Sequence, residues 1–270
     1  MKSKMKHTYP SPRRLALTLP TFFVYIDGYN LYMGINHDDP PDLLRLGWSN
    51  YQKLGERLVD LSFQHLSNER TVTVKYFTAI VAQGQGAAGE IARQTLWLDA
   101  LKQEAPEVEV VKGLHVVRPD KLVAHSESDA SDAKGGREEK MTDVNIAVHA
   151  IKDIIDLKPA GLVLVSGDQD FRPVVEFAAK AHIPVAVFFP QDHYIYQFPL
   201  GVDYLDRVET TYLTQEIMKD CRLKDDKRWL EYLHLKVQKV RQSQKESKFQ
   251  KCLDYEMAQL SKVPKSTIRR

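Results

Sequence analysis

Short runs in which every residue is apolar, separated by stretches with helical spacing, constrain this chain more than any other feature. Gly161-Leu-Val-Leu-Val165 is the clearest, and Phe22-Phe-Val-Tyr-Ile26 and Ile183 to Phe189 repeat it, with further strand signal in Thr71 to Val81 and Val108 to Val117. Strands apolar at every position belong to sheets covered on both faces. Between them lie helical patterns: one capped by Asn50 and carrying Leu54, Leu58, Leu61 and Leu66, one over residues 88 to 103, one from about Glu139 to Asp156, and Phe171 to Ala181. Strands alternating with helices predict an α/β fold, a parallel sheet with helices on both faces. A last short strand is expected near Val202 to Leu205, and from Thr214 onward the pattern is helical and increasingly basic. Residues 37 to 47 and 124 to 138 are polar and rich in Pro, Asp, Ser or Gly, and are expected to be loops.

Composition narrows the class. The chain has 270 residues, 43% hydrophobic and 27% charged, ordinary for a globular protein. No apolar run approaches the ~18 residues of a membrane span, so no membrane role is expected. Two cysteines, Cys221 and Cys252, make neither a disulfide framework nor a four-thiolate zinc site, and a reducing cytoplasm is the expected home. Lys2 to Arg14 followed by Leu15 to Ile26 has the outline of a signal peptide. Pro20 interrupts it and no small-residue cleavage site closes it, so residues 1–20 are expected to form a basic, disordered leader. The net charge of +2 hides an acidic middle: residues 15–220 hold 19 Lys/Arg against 30 Asp/Glu, while residues 221–270 hold 14 against 6. A site that gathers carboxylates, flanked by ends able to hold a polyanion, fits that distribution.

In an open parallel sheet, ligands bind outside the carboxyl ends of the strands. There the sequence places Asp27-Gly-Tyr-Asn30 after the first strand and Ser166-Gly-Asp-Gln-Asp170 after Leu162 to Val165. If those strands are neighbours, Asp27, Asp168 and Asp170 share a crevice. Carboxylates crowded together repel unless a cation lies between them, and an all-oxygen set suits Mg²⁺ or Mn²⁺. Asp143, on the helical face of Ala147 and Ala150, supplies a fourth acid. Each position also has an ordinary structural role: Asp27-Gly28 as a turn, Asn30 as a helix cap, Asp170 as the N-cap ahead of Phe171.

Tyr25-Ile-Asp-Gly-Tyr-Asn30, Lys140-Met-Thr-Asp-Val144 and Leu164-Val-Ser-Gly-Asp-Gln-Asp-Phe171 resemble the three motifs of the NYN domains, PIN-like metal-dependent ribonucleases. The resemblance runs over about residues 20 to 210. It implies a PIN-like, Rossmann-like sheet, with Asp27, Asp143 and Asp168 as the metal-binding acids. Asp170 would lie close by, and Asn30 and Ser166 would hydrogen-bond around the site. The sequence departs from the pattern at His149, where many relatives carry a further acid, at Gln169, commonly a small hydroxyl residue, and at His182, commonly Gly.

The expected organisation is the leader, a nuclease domain over 21–212 and a basic helical extension over 213–270. The implied activity is RNA phosphodiester hydrolysis, with Lys140 offsetting charge on a single-stranded RNA and Mg²⁺ or Mn²⁺ as cofactor. A homodimer is an open possibility. Two rivals remain: an RNA-binding or adaptor module with a vestigial site, and a haloacid-dehalogenase-like phosphatase, which wants an acid where Tyr29 stands. The extension has two readings, contact with RNA or docking through Trp229, Leu233 and Val237.

Overall fold

The computed structural model describes residues 19–36, 48–64, 69–81, 88–117, 137–190, 208–224, 226–240 and residue 258. Residues 1–18 of the leader, the loop 37–47, residues 124–136 and, apart from residue 258, the tail beyond 240 lie outside the described residues. So does the strand expected at 202–205.

The apolar runs form strands β1 (Thr21–Asp27), β2 (Thr71–Ile80), β3 (Glu109–Val117), β5 (Gly161–Val165) and β6 (Val185–Phe189), joined by β4 (Arg137–Lys140) and β7 (Val208–Tyr212). Their order in one sheet is β4-β3-β2-β1-β5-β6-β7. Six strands run parallel, and β4 pairs antiparallel with β3 at the edge. The sequence reading put residues 137 and 138 in a loop and began the helix at Glu139. Instead Arg137–Lys140 is a charged edge strand, a composition that discourages further strand addition, and the helix starts at Thr142.

The helices are α1 (Gly28–Asn36), α2 (Tyr51–Ser62), α3 (Ala88–Glu104), α4 (Thr142–Leu157), α5 (Arg172–Lys180), α6 (Gln215–Lys219) and α7 (Asp226–Val240). Asn50 caps α2, its Oδ1 accepting the Lys53 N–H at 3.0 Å. Side chains alternate across β1, which sits between the two layers. Phe22, Val24 and Ile26 pack with Leu54 and Leu58 of α2 and Leu101 of α3. Phe23 and Tyr25 pack with Ile146, Ala150 and Ile154 of α4 and with Val174, Val175 and Ala178 of α5. By the same alternation, Asp27 is on the α4 side. A third cluster joins Trp48, Ala100, Leu223, Trp229 and Leu233, so α7 docks on α3 through the first two of the three residues proposed for docking. Among the described residues no helix is long and apolar enough to cross a membrane.

Candidate active site

Strand order reverses between β1 and β5. From β1 the chain proceeds to β2 and β3 on one side, and from β5 to β6 and β7 on the other, so the carboxyl ends of β1 and β5 flank the switch-point crevice of an open α/β sheet. Both Asp-bearing loops start there, since β1 pairs directly with β5, with Ile26 opposite Val165.

Asp27 ends β1 and is 4% exposed. Its Oδ1 accepts the Asn30 N–H at 3.0 Å, capping the first turn of α1, and its Oδ2 accepts the Ser166 hydroxyl at 2.9 Å. Ser166 Oγ in turn accepts the Asp168 N–H at 3.1 Å. Asn30 is not a cap: its Oδ1 accepts the Gly167 N–H at 2.9 Å and ties α1 to the loop after β5. The chain enters α1 at Gly28, where a Cβ would collide with the Tyr76 hydroxyl and the Phe77 carbonyl oxygen. Only glycine lets the backbone pass there.

Asp168 takes the capping role the sequence reading gave Asp170. Its Oδ1 accepts the Asp170 N–H at 2.9 Å and starts a 3-10 turn over Gln169–Phe171, leaving the Asp170 side chain exposed. Asp143 is the second residue of α4 and is exposed. Lys140 is half-buried in β4, opposite Leu114. Met141 turns the chain from β4 into α4 with φ 74, a left-handed conformation costly for a residue with a Cβ. At Gly113 an added Cβ would lie 2.5 Å from Thr142 Oγ1, so β3 admits the start of α4 only because it has no side chain there.

His149 follows Asp143 by six residues, which at 100° per residue sets the two about 120° apart around α4. Its Nδ1 lies 3.4 Å from Lys75 Nζ and 3.9 Å from a Glu109 carboxylate oxygen, and its ring meets Phe77 edge-on. It faces β2 and β3, away from the flank that carries Asp143.

Beneath it is a buried group the sequence reading missed. Lys75 Nζ lies 2.7 Å from Asp153 Oδ2, which also accepts the Tyr25 hydroxyl at 2.9 Å. Burial, reinforced by the Asp153 charge, pushes the Tyr25 hydroxyl well above its ordinary pKa. This network pins α4 to β1 and β2 and so fixes the helix that presents Asp143. The signal was faint: one Lys within the apolar run Thr71–Ile80 and one Asp on the face of Ile146 and Ala150.

Among the described residues no three His, Cys, Asp or Glu side chains form a group that could hold a metal ion. The donor chemistry nevertheless fits a hard dication, because Mg²⁺ commonly takes one or two carboxylates and completes its shell with water and phosphate oxygens. Asp27 would supply one such carboxylate, and Ser166 ties it to the backbone N–H of Asp168, whose side chain would supply a second.

The family model described as the NYN domain matches residues 21–197. This chain belongs to the NYN domain family. Over 183 residues it is 26% identical to 6-hydroxy-3-succinoylpyridine 3-monooxygenase HspA of Pseudomonas putida (strain DSM 28022 / S16), an alignment covering 61% of this chain and 57% of that protein. The chain thus spans little more than half of that relative. Among solved structures it is similar to a protein of unknown function, VPA0982 of Vibrio parahaemolyticus RIMD 2210633, at 17% identity and a TM-score of 0.39, over 73% of this chain and 95% of that one. LpCGTa in complex with UDP matches at 12% identity and a TM-score of 0.25, over 64% of this chain and 32% of that one. The His182 departure has a backbone reason: it follows α5 with φ 62, where glycine is favoured.

Proposed function

We propose that this NYN domain is a metal-dependent ribonuclease that hydrolyses phosphodiester bonds of single-stranded RNA. The observation that carries the reading is the Asp27–Ser166–Asp168 chain of hydrogen bonds at the switch-point crevice. Asp27 and Asp168 would hold Mg²⁺ or Mn²⁺, with Asp143 as the third acid. The ion, when bound, would lower the pKa of a water and neutralise phosphate charge. Ser166 and the Asn30 N–H hold the Asp27 carboxylate in one orientation, which limits the reorganisation needed at reaction. Asp170, exposed beside Asp168, is suited to orienting the attacking water, and Lys140 to offsetting charge on the substrate.

The phosphatase alternative is disfavoured by Tyr29, which stands where that chemistry needs an acid. The monooxygenase activity in the name of the P. putida relative belongs to that protein. The deciding experiment incubates the full chain with single-stranded and structured RNA in Mg²⁺ or Mn²⁺, with EDTA and Asp168→Asn controls. EDTA-sensitive cleavage lost in the variant supports the reading. RNA binding without cleavage favours an adaptor, and hydrolysis of p-nitrophenyl phosphate alone favours a phosphatase.

A further inference from the structure

Tyr29 and Tyr32 are 56% and 47% exposed, although they open a helix beside a buried carboxylate. Three positions apart on α1, they share one face, while Leu31, fully buried, holds the opposite side of the helix to the core. Asp27 caps the same turn through the Asn30 N–H, so Tyr29 lies between two residues of the crevice. The other wall of the carboxyl edge is apolar as well, with Leu114, Met141 and Val144 all more than half exposed.

We propose that Tyr29 and Tyr32 form a base-stacking platform that holds single-stranded nucleic acid at the rim of the crevice; the proposal deepens the ribonuclease reading and rests on it. The occupant follows from that reading. Asp27, Asp143, Asp168 and Asp170 weaken the hold of this rim on a phosphate backbone, whereas exposed aromatic faces bind bases without regard to their sequence. A duplex hides its base faces, so the platform takes single strands.

The test is fluorescence anisotropy with the full chain in EDTA at low salt, using a labelled oligouridine and an abasic oligomer of the same length. Stacking on an aromatic is worth about 1–3 kcal/mol per base, so Tyr29→Ala and Tyr32→Ala should each weaken oligouridine binding roughly 5- to 150-fold. Tyr29→Phe and Tyr32→Phe should stay near wild type, and none of the four should change binding of the abasic oligomer. The salt dependence should keep its slope, because no phosphate contact is lost. Unchanged affinity in the alanine variants, an equal loss on the abasic oligomer, or no binding by the wild type overturns the platform. Cleavage by the wild type together with unchanged alanine variants sinks the platform alone, whereas Tyr-dependent binding without cleavage sinks the nuclease reading alone.

Discussion

Ser166 donates its hydroxyl hydrogen to Asp27 Oδ2 over 2.9 Å while accepting the Asp168 N–H, so one fully buried side chain ties the carboxylate at the end of β1 to the backbone of Asp168 in the loop after β5. Ser166→Ala removes both bonds and leaves buried polar groups unsatisfied, which costs about 1–3 kcal/mol. The prediction is a denaturant midpoint lowered accordingly and RNA cleavage reduced by about tenfold or more, since small misplacements in a site are expensive. Wild-type cleavage by a folded Ser166→Ala protein would show that this bond does not position the acids.

The acids should separate by stability. Relief of mutual repulsion argues that removing any one charge leaves the fold intact or stabilises it, but Asp27 accepts hydrogen bonds on both oxygens while buried. An amide accepts on one side only. Asp27→Asn is therefore predicted to destabilise by about 1 kcal/mol, and Asp143→Asn, at an exposed position, to stay neutral or gain. All three variants, Asp168→Asn included, should lose metal-dependent cleavage. Thermal melts beside an RNA assay check both parts, and equal melting of Asp27→Asn and wild type contradicts the first.

His182→Gly is predicted to stabilise the protein by about 0.5–1 kcal/mol, because His182 adopts φ 62 and pays the steric cost of that region, partly offset by glycine's larger unfolded-state entropy. Urea titration measures it. A destabilised variant would mean the imidazole makes a compensating contact.

Legibility followed from where the information resides. β1 and β5 were readable because each is buried on both sides and apolar throughout, and the crevice followed from their adjacency. Asn50 marked the start of its helix by capping chemistry, and Leu54 and Leu58 marked its buried face. β4 was hidden because Arg137-Glu-Glu-Lys140 has no strand pattern of its own and becomes a strand only by pairing with β3. α1 was hidden because its exposed Tyr29, Tyr32 and Met33 break the apolar period. The Lys75–Asp153 pair joins residues 78 positions apart, a link no local pattern encodes.

Cys221 gives a pH dependence with a definite sign. Burial, then the neighbouring Asp220 charge, pushes its thiol up to about 11 from 9.0. Between those values the unfolded chain ionises while the folded one holds its proton. The unfolded state then binds fewer protons, and stability falls as pH rises through that window. Two units correspond to about 2–3 kcal/mol. Urea unfolding at pH 8 and pH 11 should show a shallower decline for Cys221→Ala than for wild type, and parallel declines would refute the assignment. The buried tyrosines steepen both curves alike.

The last prediction concerns α7. Its basic character made RNA contact a reasonable expectation, yet Trp229 and Leu233 are fully buried against Trp48, Ala100 and Leu223. The preceding segment is stitched to the start of α2 as well, through Asn50 N–H to the Cys221 carbonyl at 2.6 Å and Leu223 N–H to the Trp48 carbonyl at 3.0 Å. Truncation after Asp220 therefore strips the cover from Trp48 and Ala100, and the shortened protein should be insoluble or unfold at markedly lower denaturant. Trp229→Ala, which leaves every Lys and Arg in place, should cost about 3–5 kcal/mol without changing the salt slope of RNA binding in the folded fraction, since no charge is removed. A soluble truncation with a wild-type midpoint would separate α7 from the stability of the domain and return its lysines to candidacy for RNA contact.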